Sequence, residues 1–379
     1  MLGINENTIE QSAIATMQTL GWEYTYGKTI LSGCQNEWRE RTAEGILKPL
    51  LAAAIAKLNP NLPAAEVENV VAMVCRADTG DLAERNRGAY EWLRNGVPYR
   101  YQAQGEQKFE VVRLVDFGVP AHNDFRIVNQ LDIGGKKGKR IPDLIGFVNG
   151  LPLVVFELKN PLKENADIGK AFAQLQTYKD EISDLFVFNQ ALVISDGIVA
   201  RIGSLTADFE RFTPWRVVDE KNKSQRIVFE NELEGLLQGL MTPKNLLDYV
   251  QNFVVFERDN KNRTIKKIGA YHQFYGVNEA VECTLLASSH TGNRKVGVFW
   301  HTQGSGKSLS MLFYAGKVLS QGSLKNPTLV LVTDRNDLDG QLYATFCGGE
   351  ALLKQTPVQV DGRDELRSAL ASRSAGGVI

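Results

Sequence analysis

Residues 141–160 read Ile141-Pro142-Asp143-Leu144-Ile145-Gly146-Phe147-Val148-Asn149-Gly150-Leu151-Pro152-Leu153-Val154-Val155-Phe156-Glu157-Leu158-Lys159-Asn160. Two apolar runs flank Asn149-Gly150, the dipeptide that best tolerates the positive φ angles of a two-residue hairpin turn. The stretch is therefore predicted to fold as an antiparallel hairpin in a sheet, which excludes an all-helical protein. Side chains alternate along a strand, so Glu157 and Lys159 share one face while Phe156 and Leu158 point to the other. Asp143 lies across the hairpin. An apolar strand that ends with a carboxylate beside an ammonium, and a second carboxylate opposite, is not ordinary core.

The rest of the chain supplies enough length for two or three domains: 379 residues, 43% of them hydrophobic. A net charge of −1 gives no global signature of nucleic-acid binding, so any such surface must be local. Lys136-Lys137-Gly138-Lys139-Arg140 and the 261–267 stretch are the basic runs, and such runs are more often solvated loops than binding sites. The four cysteines are widely separated and histidines number only four, which points to reduced thiols and away from a zinc site. No run of about 18 apolar residues and no signal peptide is present, so a cytoplasmic protein without membrane contact is expected.

Periodicity predicts helices over Thr8–Leu20, Thr42–Leu58 and Ala64–Cys75. Short apolar runs follow at 109–117, 125–133, 141–148, 151–158, 185–195 and 198–202, with a helix at Asp167–Ser183. Together they predict a mixed α/β domain over residues 1–240. From residue 241 the rhythm changes to a helix at Val277–Ser289, a strand at Lys295–Trp300, a Gly-rich loop, a helix at Lys307–Ser320 and a strand at Thr328–Val332. That order is a βαβ unit with a parallel sheet, expected to fill residues 241–379.

Phosphodiester hydrolysis needs a hard cation to polarise the phosphate and activate water. Two carboxylates plus solvent suit Mg²⁺, and a neighbouring lysine can orient the nucleophile or offset developing charge. Asp143, Glu157 and Lys159 supply those parts, the two carboxylates as metal ligands. Spacing alone is weak evidence, because Glu106-Gln107-Lys108 has the same E-x-K pattern, in a polar stretch. Glu157–Lys159 as a plain surface ion pair is the bland alternative.

His301-Thr302-Gln303-Gly304-Ser305-Gly306-Lys307-Ser308 lies between the predicted strand and helix, the setting of a phosphate-binding loop. Gly304 and Gly306 let backbone amides turn toward an anion, and the following helix offers unpaired N–H groups. Lys307 can reach the β- and γ-phosphates of ATP, and the Ser308 hydroxyl can bind Mg²⁺. Thr302 and Ser305 complete the cradle, while His301 stands where the general pattern has its first glycine. Gln273, just ahead of the first helix of this region, can pair with an adenine edge.

With both motifs in this order, the whole chain resembles the restriction (motor) subunit of type I restriction–modification enzymes. Pro142-Asp143 with Glu157-Leu158-Lys159 looks like the family's PD-(D/E)xK nuclease signature, and Gln174 and Tyr178 match its Q-x-x-x-Y motif. The phosphate loop resembles motif I of its superfamily-2 helicase domain, a RecA-like fold. Leu331-Val332-Thr333-Asp334-Arg335-Asn336-Asp337-Leu338 resembles motif Ia, which implies DNA-backbone contact by Arg335. Glu10 is a candidate for the further acidic residue of such nucleases, with Glu23 and Glu37 competing.

The resemblance implies Mg²⁺-dependent cleavage of double-stranded DNA coupled to ATP-driven translocation, with methyltransferase and specificity subunits as partners. No apolar strand ending in Asp-Glu follows motif Ia, and Asp364-Glu365 lies in a polar stretch. The chain is thus expected to be the amino-terminal part of a longer motor, able to bind ATP weakly but not to hydrolyse it. A repair or remodelling helicase with a non-cleaving, nuclease-like DNA-binding domain is the alternative. A third reading is a docking piece for methyltransferase subunits, using a helical surface within residues 42–95.

Overall fold

The computed structural model describes the chain except for residues 1–5, 32, 35, 77–79, 104, 161–167, 220, 221, 224, 334, 335 and 373–375. It divides into two compact units, Met1–Gln251 and Asn252–Ile379. No described helix is long and apolar enough to cross a membrane.

The first unit is built on a six-stranded mixed sheet. Its strands are β1 (Glu23–Tyr26), β2 (Phe125–Asn129), β3 (Leu144–Val148), β4 (Leu151–Leu158), β5 (Ala191–Ser195) and β6 (Ala200–Gly203), adjacent in that order. β1 runs parallel to β2 and β4 parallel to β5, whereas β2–β3, β3–β4 and β5–β6 are antiparallel. Both β3 and β4 are buried along their whole length, as expected for strands covered on two faces. Helix α1 (Glu6–Thr19) packs against β1 and β4, and helix α5 (Ile168–Glu181) packs against β4 and β5. Ala171, Leu175 and Tyr178 of α5 join Ile145, Phe147, Val155, Leu192 and Ile194 in the core.

Three more helices precede α5 in the chain: α2 (Lys48–Leu58), α3 (Ala64–Val74) and α4 (Leu82–Asn95). Helix α2 begins six residues later than the periodicity suggested. The backbone N–H of Leu47 donates to Gly150 O (2.9 Å), which holds the lead-in segment on the β3–β4 turn. The apolar run at 109–117 is replaced by a two-stranded ribbon pairing Val97–Ala103 with Glu106–Val112. Glu106 and Lys108 therefore do lie on a strand, but both are exposed at its start.

The Asn149-Gly150 turn forms as expected, with φ values of 52° and 76°. Gly150 has a second constraint, because a Cβ there would lie 2.4 Å from Leu47 O. Gly150→Ala is expected to cost at least about 1–2 kcal/mol from the left-handed backbone alone, and more from the clash. Urea unfolding of the variant checks this, and an unchanged midpoint would refute it.

Helices α6 (Glu232–Leu240) and α7 (Pro243–Asn252) close the first unit. Its border at Gln251 is later than residue 240 because α7 is tied to it. Tyr249 packs edge-on against Trp215 at 5.5 Å, and the Tyr90 hydroxyl donates to Val250 O at 3.1 Å.

In the second unit, a hairpin of Val254–Arg258 and Thr264–Ile268 precedes α8 (Tyr271–Ser288) and α9 (Lys307–Leu319). The rings of Phe253, Phe274 and Phe313 pack together at 5.0 and 5.2 Å. Helix α9 forms where expected, and α8 starts six residues before Val277. The strand expected at Lys295–Trp300 does not form: the segment has no ladder partner among the described residues, and Val298 and Trp300 are 96% and 79% exposed. The strand expected at Thr328–Val332 is reduced to a parallel bridge between Leu329 and Val378, extended by Leu331 N–H donating to Ile379 O. The βαβ unit is thus only partly formed.

Candidate active site

A β-bulge sets the geometry of the first site. After the Asn149-Gly150 turn, Val148 pairs with Leu151 and Phe147 with Pro152, but Gly146 pairs with Val154. Leu153 is the extra residue. Its carbonyl is satisfied outside the ladder, by Gln190 N–H (2.7 Å) and Asn189 Nδ2 (3.2 Å). Pro152, which has no N–H to donate, occupies a position where a bulge tolerates it. Beyond the bulge, Ile145 pairs with Val155 and Leu144 with Phe156. One step further along that register puts Asp143 opposite Glu157, on the same face.

Neighbouring cross-strand side chains have Cβ atoms about 5 Å apart, so the two carboxylates feel each other directly. Burial raises the Asp143 carboxyl to about 6, with Glu6 and Glu10 adding to the rise and Leu158 N–H and Lys159 opposing it. Asp143 Oδ2 accepts the Leu158 N–H at 2.6 Å. Burial, then the Asp143 charge, lifts Glu157 to about 8. Glu157 is 2% exposed, and its Oε2 is buried without a hydrogen-bond partner.

Lys159 Nζ donates to Glu157 Oε1 at 2.5 Å and to Leu158 O at 3.1 Å, and lies 3.5 Å from Glu6 Oε1. Burial alone would lower its ammonium, but Glu157, Asp143 and Glu6 outweigh that and hold it above the ordinary lysine value. Its backbone N–H is bound to Ser195 O at 2.8 Å, anchoring the strand end on β5.

Helices bring further groups to this end of the sheet. Tyr178 on α5 donates to Ile141 O at 3.2 Å. Burial, and then the nearby Glu157 and Asp143 charges, push its hydroxyl far up, with Gln174 beside it one helical turn earlier. Glu10 on α1 is buried and accepts from Asn129 Nδ2 (2.5 Å) and Gln130 Nε2 (3.4 Å). Its competitors lie elsewhere: Glu23 pairs with Arg126, and Glu37 accepts the Gly33 N–H. Glu6 and Asn129 were not singled out in the sequence. Glu6 was legible, since it precedes Glu10 by one helical turn.

The donor set fits a hard cation. Two carboxylates converge, one has an unpaired buried oxygen, and both are raised first by burial and then by neighbouring negative charge, which a bound cation would offset. Among the described residues no group of three or more His, Cys, Asp and Glu side chains forms a metal cage. Mg²⁺ needs no such cage, because it retains several waters.

In the second unit, Gly304 and Gly306 take the left-handed φ values of 81° and 84° that the loop requires. Lys307 Nζ lies back on its own loop, 3.3 Å from both His301 O and Thr302 O. Ser305 Oγ donates to Thr302 O at 2.7 Å and meets His301 Nδ1 at 3.0 Å. Burial, with His272 and Lys307 nearby, lowers the His301 imidazole. Ser308 follows Lys307 in the first turn of α9.

Gln273 differs from expectation. Its Oε1 accepts the Ala270 N–H, and its Nε2 donates to Gly306 O (3.1 Å) and contacts Ser310 Oγ (3.2 Å). The amide thus links α8 to the phosphate loop instead of presenting a free edge. Arg335 lies outside the described residues.

Two family profiles match the chain. The one described as type I restriction enzyme R protein N terminus covers residues 3–211, and the one described as SWI2/SNF2 ATPase covers residues 272–379. The chain belongs to the type I restriction enzyme R protein N-terminal family. It is 60% identical over 377 residues to the type I restriction enzyme HindI endonuclease subunit of Haemophilus influenzae, covering 99% of this chain and 36% of that relative. It is 30% identical over 255 residues to the type I restriction enzyme SauMSSORF170P endonuclease subunit of Staphylococcus aureus, covering 67% of this chain and 25% of the relative. The chain spans about a third or less of the length of these curated relatives.

Proposed function

We propose that the first unit is a PD-(D/E)xK-type, Mg²⁺-dependent DNA endonuclease domain, and the second part of a RecA-like superfamily-2 motor. In the whole protein, cleavage of double-stranded DNA is coupled to ATP-driven translocation, in the cytoplasm, with methyltransferase and specificity subunits as partners. The observation that carries the nuclease reading is the Asp143–Glu157 pair, bulged into opposition and flanked by Lys159.

Asp143 and Glu157 would hold the cation, Glu157 through its unpaired Oε2. When bound, the cation supplies Lewis-acid polarisation of the phosphate and lowers the pKa of water. Lys159, held beside Glu157, would orient the nucleophile and offset charge developing on the phosphate. Gln174 and Tyr178 brace the entry to β3, and Glu10 braces the end of β2 through Asn129. In the motor, Thr302, Gly304, Ser305 and Gly306 would cradle the ATP phosphates, Lys307 would leave its own loop for them, and Ser308 would serve the nucleotide's Mg²⁺. Gln273 couples that loop to α8, and Arg335 contacts the DNA backbone.

Calorimetric titration of the chain with Mg²⁺ at pH 7 tests the nuclease reading. With its carboxyl raised to about 8, Glu157 is largely protonated at pH 7, so binding is expected to release up to about one proton per ion, seen as a dependence of the heat on buffer. Asp143→Asn and Glu157→Gln should each abolish the binding isotherm. An unaltered isotherm in both variants would reject this metal site and favour a non-cleaving DNA-binding module.

A further inference from the structure

The connection between β2 and β3 lies at the sheet end that carries Asp143, Glu157 and Lys159, because β2 ends and β3 begins there. This connection is itself a small hairpin, Ile133–Gly135 paired with Gly138–Arg140, with Lys136 and Lys137 as its two-residue turn. The charges at its base are already satisfied. Lys139 pairs with Asp132 at 3.2 Å, and Arg140 pairs with Glu181. The charges at its tip face solvent. Lys137 makes only a long ion pair, 3.9 Å to Glu181, an acid already engaged by Arg140, and its side chain is 78% exposed. Lys136 is exposed and has no ion-pair partner among the described residues.

The tip is rigidly mounted. Lys136 N–H donates to Glu181 O at 3.1 Å. Gly135 lies so close to the end of α5 that a Cβ would meet Glu181 O at 2.6 Å and Ile182 Cγ2 at 2.7 Å. Helix α5 also carries Tyr178, whose hydroxyl holds Ile141 O, two residues before Asp143. The same helix therefore fixes the hairpin and the strand that delivers the carboxylate. Lys137 precedes Asp143 by six residues, at most about 20 Å of extended chain. One DNA strand carries a phosphate about every 3.4 Å along the helix axis, so the tip is within about six nucleotides of the site.

We infer that Lys136 and Lys137 form a phosphate-binding tip that grips the backbone of the duplex whose scissile bond lies at Asp143 and Glu157. The contact is sequence-independent, since compact ammonium groups on a turn meet phosphates as point charges and read no base edge. It rests on the nuclease reading of the site but is tested separately from it.

The test is fluorescence anisotropy of a labelled DNA duplex with the full 379-residue chain, in metal-free buffer from 50 to 200 mM salt. Removing two phosphate contacts with Lys136→Ala/Lys137→Ala is expected to weaken binding about tenfold at low salt. The same change should lower the slope of log K against log salt by about 1–2. Lys136→Arg/Lys137→Arg should retain both. The Mg²⁺ isotherm of the alanine pair should be unchanged, because the tip holds no ligand of the cation. An unaltered slope and affinity in the alanine pair, no DNA binding by the parent, or an arginine pair that behaves like the alanine pair each overturns the inference. So does loss of the isotherm in the alanine pair. Loss of the metal reading alone, by contrast, appears as Mg²⁺ binding that survives Asp143→Asn and Glu157→Gln.

Discussion

Glu157→Gln is expected to abolish DNA cleavage by the full-length enzyme, by about 10³-fold or more, and yet to stabilise the cation-free chain at pH 8. The first effect follows from removing the proposed metal ligand, a role worth several kcal/mol. The second follows from linkage. Glu157 is raised to about 8 in the folded chain, against about 4.3 for a free glutamate, so between those values the folded state holds the extra proton. Stability therefore falls as pH rises from about 4 to 8, and Asp143, raised to about 6, adds to the fall over the lower part of that window. A neutral amide removes most of this dependence, a gain on the order of a few kcal/mol at pH 8. Thermal unfolding in the presence of a chelator reads the gain as a flatter pH profile. A variant that cuts within tenfold of the parent would sink the catalytic assignment, and one less stable than the parent at pH 8 would sink the electrostatic account.

Lys307→Ala is expected to remove ATP hydrolysis and translocation from the full-length enzyme while leaving the Mg²⁺ isotherm of the nuclease site intact. In the free chain the ammonium rests on the carbonyls of His301 and Thr302, contacts it must exchange for phosphate oxygens. Hydrogen bonds to charged groups contribute about 1.5–3 kcal/mol, so nucleotide affinity should fall by roughly 10- to 100-fold. Competition with a fluorescent ATP analogue measures the binding loss, and a strand-displacement assay measures the motor. Retained translocation would show that this loop does not hold the fuel.

Much of the first site could be read from the chain. Asn149-Gly150 announced the turn, and alternation assigned Glu157 and Lys159 to one face. The helical spacing of Gln174 and Tyr178 placed both on α5. What alternation could not show was the extra residue at Leu153, since a bulge with satisfied hydrogen bonds leaves the apolar pattern of a buried strand unchanged. Glu6 was missed although it lies one helical turn before Glu10, whereas Asn129 was missed because its importance comes from a long-range contact and not from local pattern. In the second unit, local signals succeeded for α9 and for the glycines that need left-handed backbone. They failed for Lys295–Trp300, because a strand exists only when another strand accepts its hydrogen bonds, and apolar composition alone provides no partner.

The bulge also makes chain length between Asp143 and Glu157 a matter of odd and even. In an unbulged hairpin with the same turn, Glu157 would face Pro142, and Asp143 would fall opposite Phe156 on the far side of the sheet. Losing the extra residue at Leu153 would leave a well-paired, unbulged hairpin with its two acids still opposite each other. Losing two would leave an equally well-paired hairpin with the acids divided by the sheet. On the proposed assignment, cleavage depends on the bulge and the hairpin length together, a constraint that folding alone does not impose.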